Sequence, residues 1–164
     1  MIAAEALEKV LQMYGQYYQV KREGAAEPFQ AEAESTVTDE LLSGFKTVKV
    51  GTAISREIVF FAAEEHLTAE RARQLADRAW EEGSARVEPG PNHRNTDIIL
   101  VVLADCVDPE AAALLKRTKH SRNFRFTFHG WSVFRVIAIE TPSGTMAHNR
   151  MGQNLKKLFS NINF

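Results

Sequence analysis

Residues 98–106 read Ile-Ile-Leu-Val-Val-Leu-Ala-Asp-Cys, and this stretch decides the fold. Its apolar part, Ile98 to Ala104, has no break and is rich in β-branched side chains. A strand wet on one face alternates with period two, whereas an unbroken run this short suits a strand covered on both faces. It predicts a central strand with structure above and below it. The segments before and after it are then expected to build the two sides of one sheet.

Upstream, residues 3–19 carry Leu7, Val10, Leu11, Tyr14, Tyr17 and Tyr18 at helical spacing, which predicts an amphipathic helix with the tyrosines closing its core stripe. Residues 29–37 alternate and read as a half-exposed strand, with Glu32 and Glu34 on its solvent face. Residues 38–44 read as a loop, 45–50 as a short strand, 51–55 as a turn and 57–63 as a buried strand. Such short connections imply an antiparallel meander. A helix over 68–83 follows, capped by Thr68 and ending at Gly83.

Downstream, Asp108-Pro109-Glu110 is a helix start, with Pro in the first turn and an acid near the positive end. Residues 123–129 alternate, so Phe124, Phe126 and Phe128 are expected on the core face of a strand. A strand over 133–140, the turn Thr141-Pro142-Ser143-Gly144, a return strand over 145–148 and a last helix over 150–160 complete the chain. The expected order is αβββαβαβββα. We read one α+β domain spanning 1–164, a mixed and largely antiparallel sheet with helices packed on it.

Composition narrows function by exclusion. The 164 residues have a net charge of −1, which argues against general attraction to polyanions. The charge is uneven, however. Residues 1–92 hold 10 Lys and Arg against 16 Asp and Glu, a balance of −6, while residues 93–164 hold 10 against 5, a balance of +5. The asymmetry reads either as chance spread over two exposed faces or as a basic surface for an anionic ligand or a nucleic acid. One cysteine, Cys106, excludes an internal disulfide. With no signal-peptide pattern and no apolar run of membrane length, the expectation is a cytoplasmic protein without a membrane partner.

The common nucleotide and hydrolase motifs are missing. No His-x-x-x-His or Cys-x-x-Cys occurs, so neither a metal nor a cofactor is expected. Cys106, at the end of a buried strand, reads as inert, and His66 as part of a solvated turn. The order αβββαβ resembles restriction-endonuclease-like nucleases, which hold magnesium with an Asp and an acid-x-Lys on successive strands. The strand at 45–50 has no acid and Glu57-Ile58-Val59 has no Lys, so the resemblance is of element order alone.

Two features remain. Asp105 ends the central strand, where open α/β sheets place ligands, or else caps amides in the turn before Pro109. The stretch Lys116–Arg135 interleaves cations with aromatics, a pattern that grips phosphates and stacks bases, or equally a core face backed by a wet one. Within it, His129-Gly130-Trp131-Ser132, then Arg135, then Asn149-Arg150-x-Gly-x-x-Leu155-Lys156-Lys157, resembles an uncharacterised family of small bacterial and archaeal proteins. That resemblance implies no activity.

The preferred reading is a non-catalytic binding domain using His129, Trp131, Arg135 and Arg150. His129 would donate to an anion, Trp131 stack, and the arginines fork. The runner-up is an acid–base enzyme with Asp105 and His129 in one cleft. A third reading is an obligate homo-oligomer in which Trp131 and the Phe residues fill a subunit interface. Trp131 itself is expected to be at least half buried, either against the last helix within one subunit or across a dimer contact.

Overall fold

The computed structural model describes residues 1–42 and 49–164. The elements are α1 (Ala3–Tyr14), β1 (Gln19–Lys21), β2 (Ala31–Leu42), β3 (Lys49–Leu67), α2 (Ala69–Ala85), β4 (His93–Val107), α3 (Pro109–Arg117), β5 (Ser121–Asn123), β6 (Trp131–Glu140), β7 (Thr145–His148), a short 3-10 turn (Arg150–Gly152) and α4 (Gln153–Phe159). They form one mixed seven-stranded sheet in the order β1-β2-β3-β4-β6-β5, with β7 also pairing with β6. This is the expected α+β class and element order.

The apolar run lies in β4, at the middle of the sheet and parallel to both β3 and β6. Alternate β4 side chains feed two cores. Ile98, Leu100 and Val102 pack with Phe60, Leu75, Leu115 and Phe134 beneath α2 and α3. Ile99, Val101 and Leu103 pack with Leu7, Tyr14, Phe61, Leu155 and Phe159 beneath α1 and α4. Burial on both faces is why the period-two signal is absent there.

Several boundaries differ from expectation. β2 runs through the supposed loop to Leu42, and β3 runs straight through the supposed turn at 51–55. The strand expected at 45–50 falls mainly on residues outside those described, and 49 and 50 belong to β3. The register Asp39↔Ala53 to Leu42↔Lys49 makes a two-stranded arm that extends past the start of β4. α1 stops at Tyr14, and Tyr17 is 82% exposed instead of closing the core stripe. Gly83 does not end α2 but lies inside it, where its bare Cα meets Ile98.

Glu32 and Glu34 form neither a solvated face nor a metal pair. Arg86, at the C-terminal cap of α2, reaches Glu32 at 2.5 Å, Glu34 at 3.3 Å and Glu82 at 2.9 Å. The second strand of the sheet therefore does carry acids, contrary to the nuclease comparison. Glu32 and Glu34 are held by Arg86 beside α2, whereas Glu57 on β3 accepts from Tyr18 next to α1, so these acids do not pair with one another across the two strands.

Candidate functional site

The segment joining β5 to β6 departs most from expectation. Residues 124–130 are not a strand. Arg125, Phe126 and Thr127 take left-handed backbone angles, φ 47°, 53° and 78°, and Gly130 follows at 89°. Three successive non-glycine residues in that region are costly, on the order of 1–3 kcal/mol each, and Thr127 is β-branched. The turn is nevertheless tied down. Phe124 N donates to Gly130 O, His129 N to Phe124 O, and Phe128 N to Arg125 O, at 2.9–3.1 Å. His93, buried at the start of β4, sets Nδ1 2.8 Å from the His129 carbonyl. A Cβ on Gly130 would stand 2.2 Å from that His93 nitrogen, so only glycine allows this seat.

The consequence is a displayed aromatic pair. Phe126 is 92% exposed and Phe128 79%, where both were expected in the core. Alternation of Phe with polar residues looks like a strand, but the left-handed turn throws the rings outward instead. Phe124 stays half-buried, with its ring against His93 and the Arg122 guanidinium 5.2 Å from its centroid. Between Glu110 and Glu140 the chain has no carboxylate side chain, and it has Lys116, Arg117, Lys119, Arg122, Arg125 and Arg135.

Of the residues singled out from sequence, His129 lies in this turn, half-buried, and Trp131 follows it at the start of β6. Trp131 is 39% exposed and belongs to neither apolar cluster. The last helix does not cover it, because Leu155 and Phe159 are spent on the cluster around Tyr14 and Phe61. Arg135 is already paired. Its Nε donates to Asp97 at 3.1 Å and its Nη1 to the Met151 carbonyl, so it is not a free fork for an anion. Arg150 is exposed on the short 3-10 turn.

Asp105 does not cap the turn before Pro109. Its Oδ1 accepts from Ala3 N at 2.7 Å and so caps α1 from a distant strand. It lies near the C-terminal end of β4, whereas His129 precedes Trp131, whose partner Asn95 is near the N-terminal end. The two are about 30 Å apart along the strands, and no single cleft contains both.

Sequence reasoning missed a polar row on the α1 face of the sheet. Ser55 donates to Asn95 at 2.9 Å, Asn95 to Asp97 at 3.1 Å, and Tyr18 to Glu57 on the neighbouring strand. Burial, then the Glu57 carboxylate, pushes the Tyr18 hydroxyl far above its ordinary range, so it keeps its proton and donates it to Glu57. Each carboxylate has its partner, and the row locks β3, β4 and β6 together.

The residues behind the family resemblance also have structural work. Asn149 is buried and completes the backbone of β6, donating to Phe134 O at 2.9 Å and accepting from Val136 N at 3.1 Å. A Cβ on Gly152 would stand 2.6 Å from Val136 O. For metal ligation, one mixed group stands out among the described residues: His66, Cys106 and Asp108, with donor atoms within 4.8 Å of one another. Cys106 is exposed, not inert packing. Among the described residues no helix is long and apolar enough to cross a membrane.

No curated protein and no solved structure matches the chain. Residues 3–161 match the model of a domain of unknown function (DUF8052), and the protein belongs to that family.

Proposed function

We propose that this protein is a non-catalytic binding domain that holds single-stranded nucleic acid on the turn between β5 and β6. One observation carries the reading: Phe126 and Phe128 are almost wholly exposed on a turn that is strained yet fastened at both ends. Displaying two phenylalanines to water is unfavourable, and a fixed display lowers the entropy cost of binding. Unpaired bases stack on such rings whatever their identity, and Arg125, which shares a surface hollow with Phe126 and Phe128, and Arg122, which lies over the Phe124 ring, supply cations for the phosphates. Arg135 is withdrawn from the role by Asp97.

The test is fluorescence anisotropy with a labelled single-stranded oligonucleotide over a range of salt. Affinity is expected to fall as salt rises. Arg122→Ala with Arg125→Ala should lower the log–log salt slope by roughly 1.4, at about 0.7 per phosphate contact. Phe126→Ala with Phe128→Ala should weaken binding by ~1–3 kcal/mol per stacked base while leaving that slope in place. Failure of the wild type to bind, or equal binding by the double-Phe variant, overturns the reading. A wild-type dimer that the same variant converts to monomer would move the two rings to a self-association surface.

A further inference from the structure

At the opposite end of the central strands from the aromatic turn, we infer that His66, Cys106 and Asp108 form a binding site for one divalent transition-metal ion of the zinc type. His66 and Cys106 are register partners on the parallel strands β3 and β4. Asp108 follows directly after β4, and its backbone N donates to Leu67 O at 3.0 Å, which fixes it beside the same strand ends. His66, remote in sequence, and the neighbouring pair Cys106 and Asp108 are thereby held together by backbone pairing, before any ion is considered.

The donor set is an imidazole nitrogen, a thiol sulfur and a carboxylate oxygen, all within 4.8 Å of one another. Borderline-soft ions such as zinc take this mixture, whereas magnesium and calcium prefer oxygen alone. Around a tetrahedral ion with bonds of about 2.0–2.3 Å, donors stand roughly 3.3–3.8 Å apart. His66 Nε2 is now 2.5 Å from Asp108 Oδ1, in a hydrogen bond. Rotation of the two side chains, 56% and 36% exposed, opens that pair by the ångström the ion needs. On binding, the thiol gives its proton to solvent and the His66–Asp108 hydrogen bond is exchanged for two metal bonds. Three protein donors leave the fourth position to water.

Other roles fit less well. Asp108 precedes α3 but makes no side-chain cap there, so its carboxylate is not committed to the helix. A thiol–imidazole nucleophile needs a cleft for its substrate, and Cys106 and His66 are both exposed. The site is independent of the nucleic-acid reading, since the length of β4 separates them.

Cys106 is the only cysteine, so thiol chemistry reports on this site alone. The experiment titrates cobalt(II) into chelator-treated full-length protein and follows thiolate-to-cobalt charge-transfer absorption. It then measures how fast Cys106 is alkylated with and without zinc. The expected results are saturation at one ion per chain, zinc protection of Cys106, and loss of the band in Cys106→Ser. His66→Ala and Asp108→Asn should each weaken zinc binding at least as much as loss of an outer-shell partner does, about 10–100-fold. Circular dichroism verifies that each variant is folded. A cobalt complex without charge transfer, or an alkylation rate that zinc leaves unchanged, overturns the site. A band that survives undiminished in both His66→Ala and Asp108→Asn also overturns it, as binding to a thiol alone.

Discussion

Arg135 on β6 and Asp97 on β4 form a 3.1 Å ion pair, with side chains only 19% and 13% exposed. The pair crosses two parallel strands and is extended by Asn95 and Ser55 toward β3. Removing the cation leaves a carboxylate in a poorly hydrated place. We expect Arg135→Ala to cost about 3 kcal/mol in urea denaturation, near the lower end for breaking a buried pair. Oligonucleotide affinity of the folded fraction should be unchanged. A large affinity loss with intact stability would return Arg135 to the binding surface.

Asp105 caps α1 through Ala3 N. An asparagine oxygen can still accept that hydrogen bond, but the favourable charge at the helix N-terminus is lost. Asp105→Asn should therefore lower stability by only about 0.5–1 kcal/mol, and Asp105→Ala by about 1–2 kcal/mol. Thermal unfolding with both variants reads the difference. Equal melting of the alanine variant and the wild type would remove the cap from the energetics of the fold.

The Arg86 cluster makes acid stability depend on one side chain. Burial alone would raise the Glu32 carboxyl. The Arg86 hydrogen bond, the Ala26 N–H and the Arg86 and Lys21 charges outweigh it and hold Glu32 below its ordinary value of 4.5. Glu82 is held below the same value by the Arg86 hydrogen bond first and by Arg78. A carboxylate lowered in the folded state contributes stability that is complete above the unfolded value. That stability fades as pH falls below about 4.5 and through the folded value. Stability profiles should therefore drop on acidification in that window, and Arg86→Met should flatten the drop. Parallel profiles for the two proteins would contradict this account.

Asn149 serves three backbone groups with one amide, two carbonyls and one N–H. Asn149→Ala leaves Phe134 O and Val136 N without these partners inside the protein, at about 1–3 kcal/mol each. Gly152→Ala pushes a methyl group toward Val136 O and should cost roughly 1–3 kcal/mol. Hydrogen exchange at Val136 should rise in both variants. Unchanged protection there would mean that the turn after β7 does not hold β6.

The helices were legible in the sequence because their signals are local. Thr68 accepts from Arg71 N at 3.2 Å, as its place before an apolar stripe implied, and α3 begins at Pro109. The turn at 124–130 was not legible, because its three successive left-handed residues, Arg125, Phe126 and Thr127, include no glycine and Phe-x-Phe-x-Phe alternates as a strand does. Arg135 looked available, because nothing near it in the chain announces Asp97.

Ile98 to Ala104 by themselves determined that a strand lies buried between two layers, since only a strand with both faces covered needs apolar side chains at every step. The tertiary structure alone decided which distant residues meet. Strand register brings His66 beside Cys106 and seats Glu57 and Asp97 on neighbouring strands, and the docking of α1 on the sheet sets its first turn against Asp105. Periodicity records whether a residue faces inward. Pairing between strands depends on backbone hydrogen bonds common to every residue, so the side chains of one segment do not name their neighbours in another.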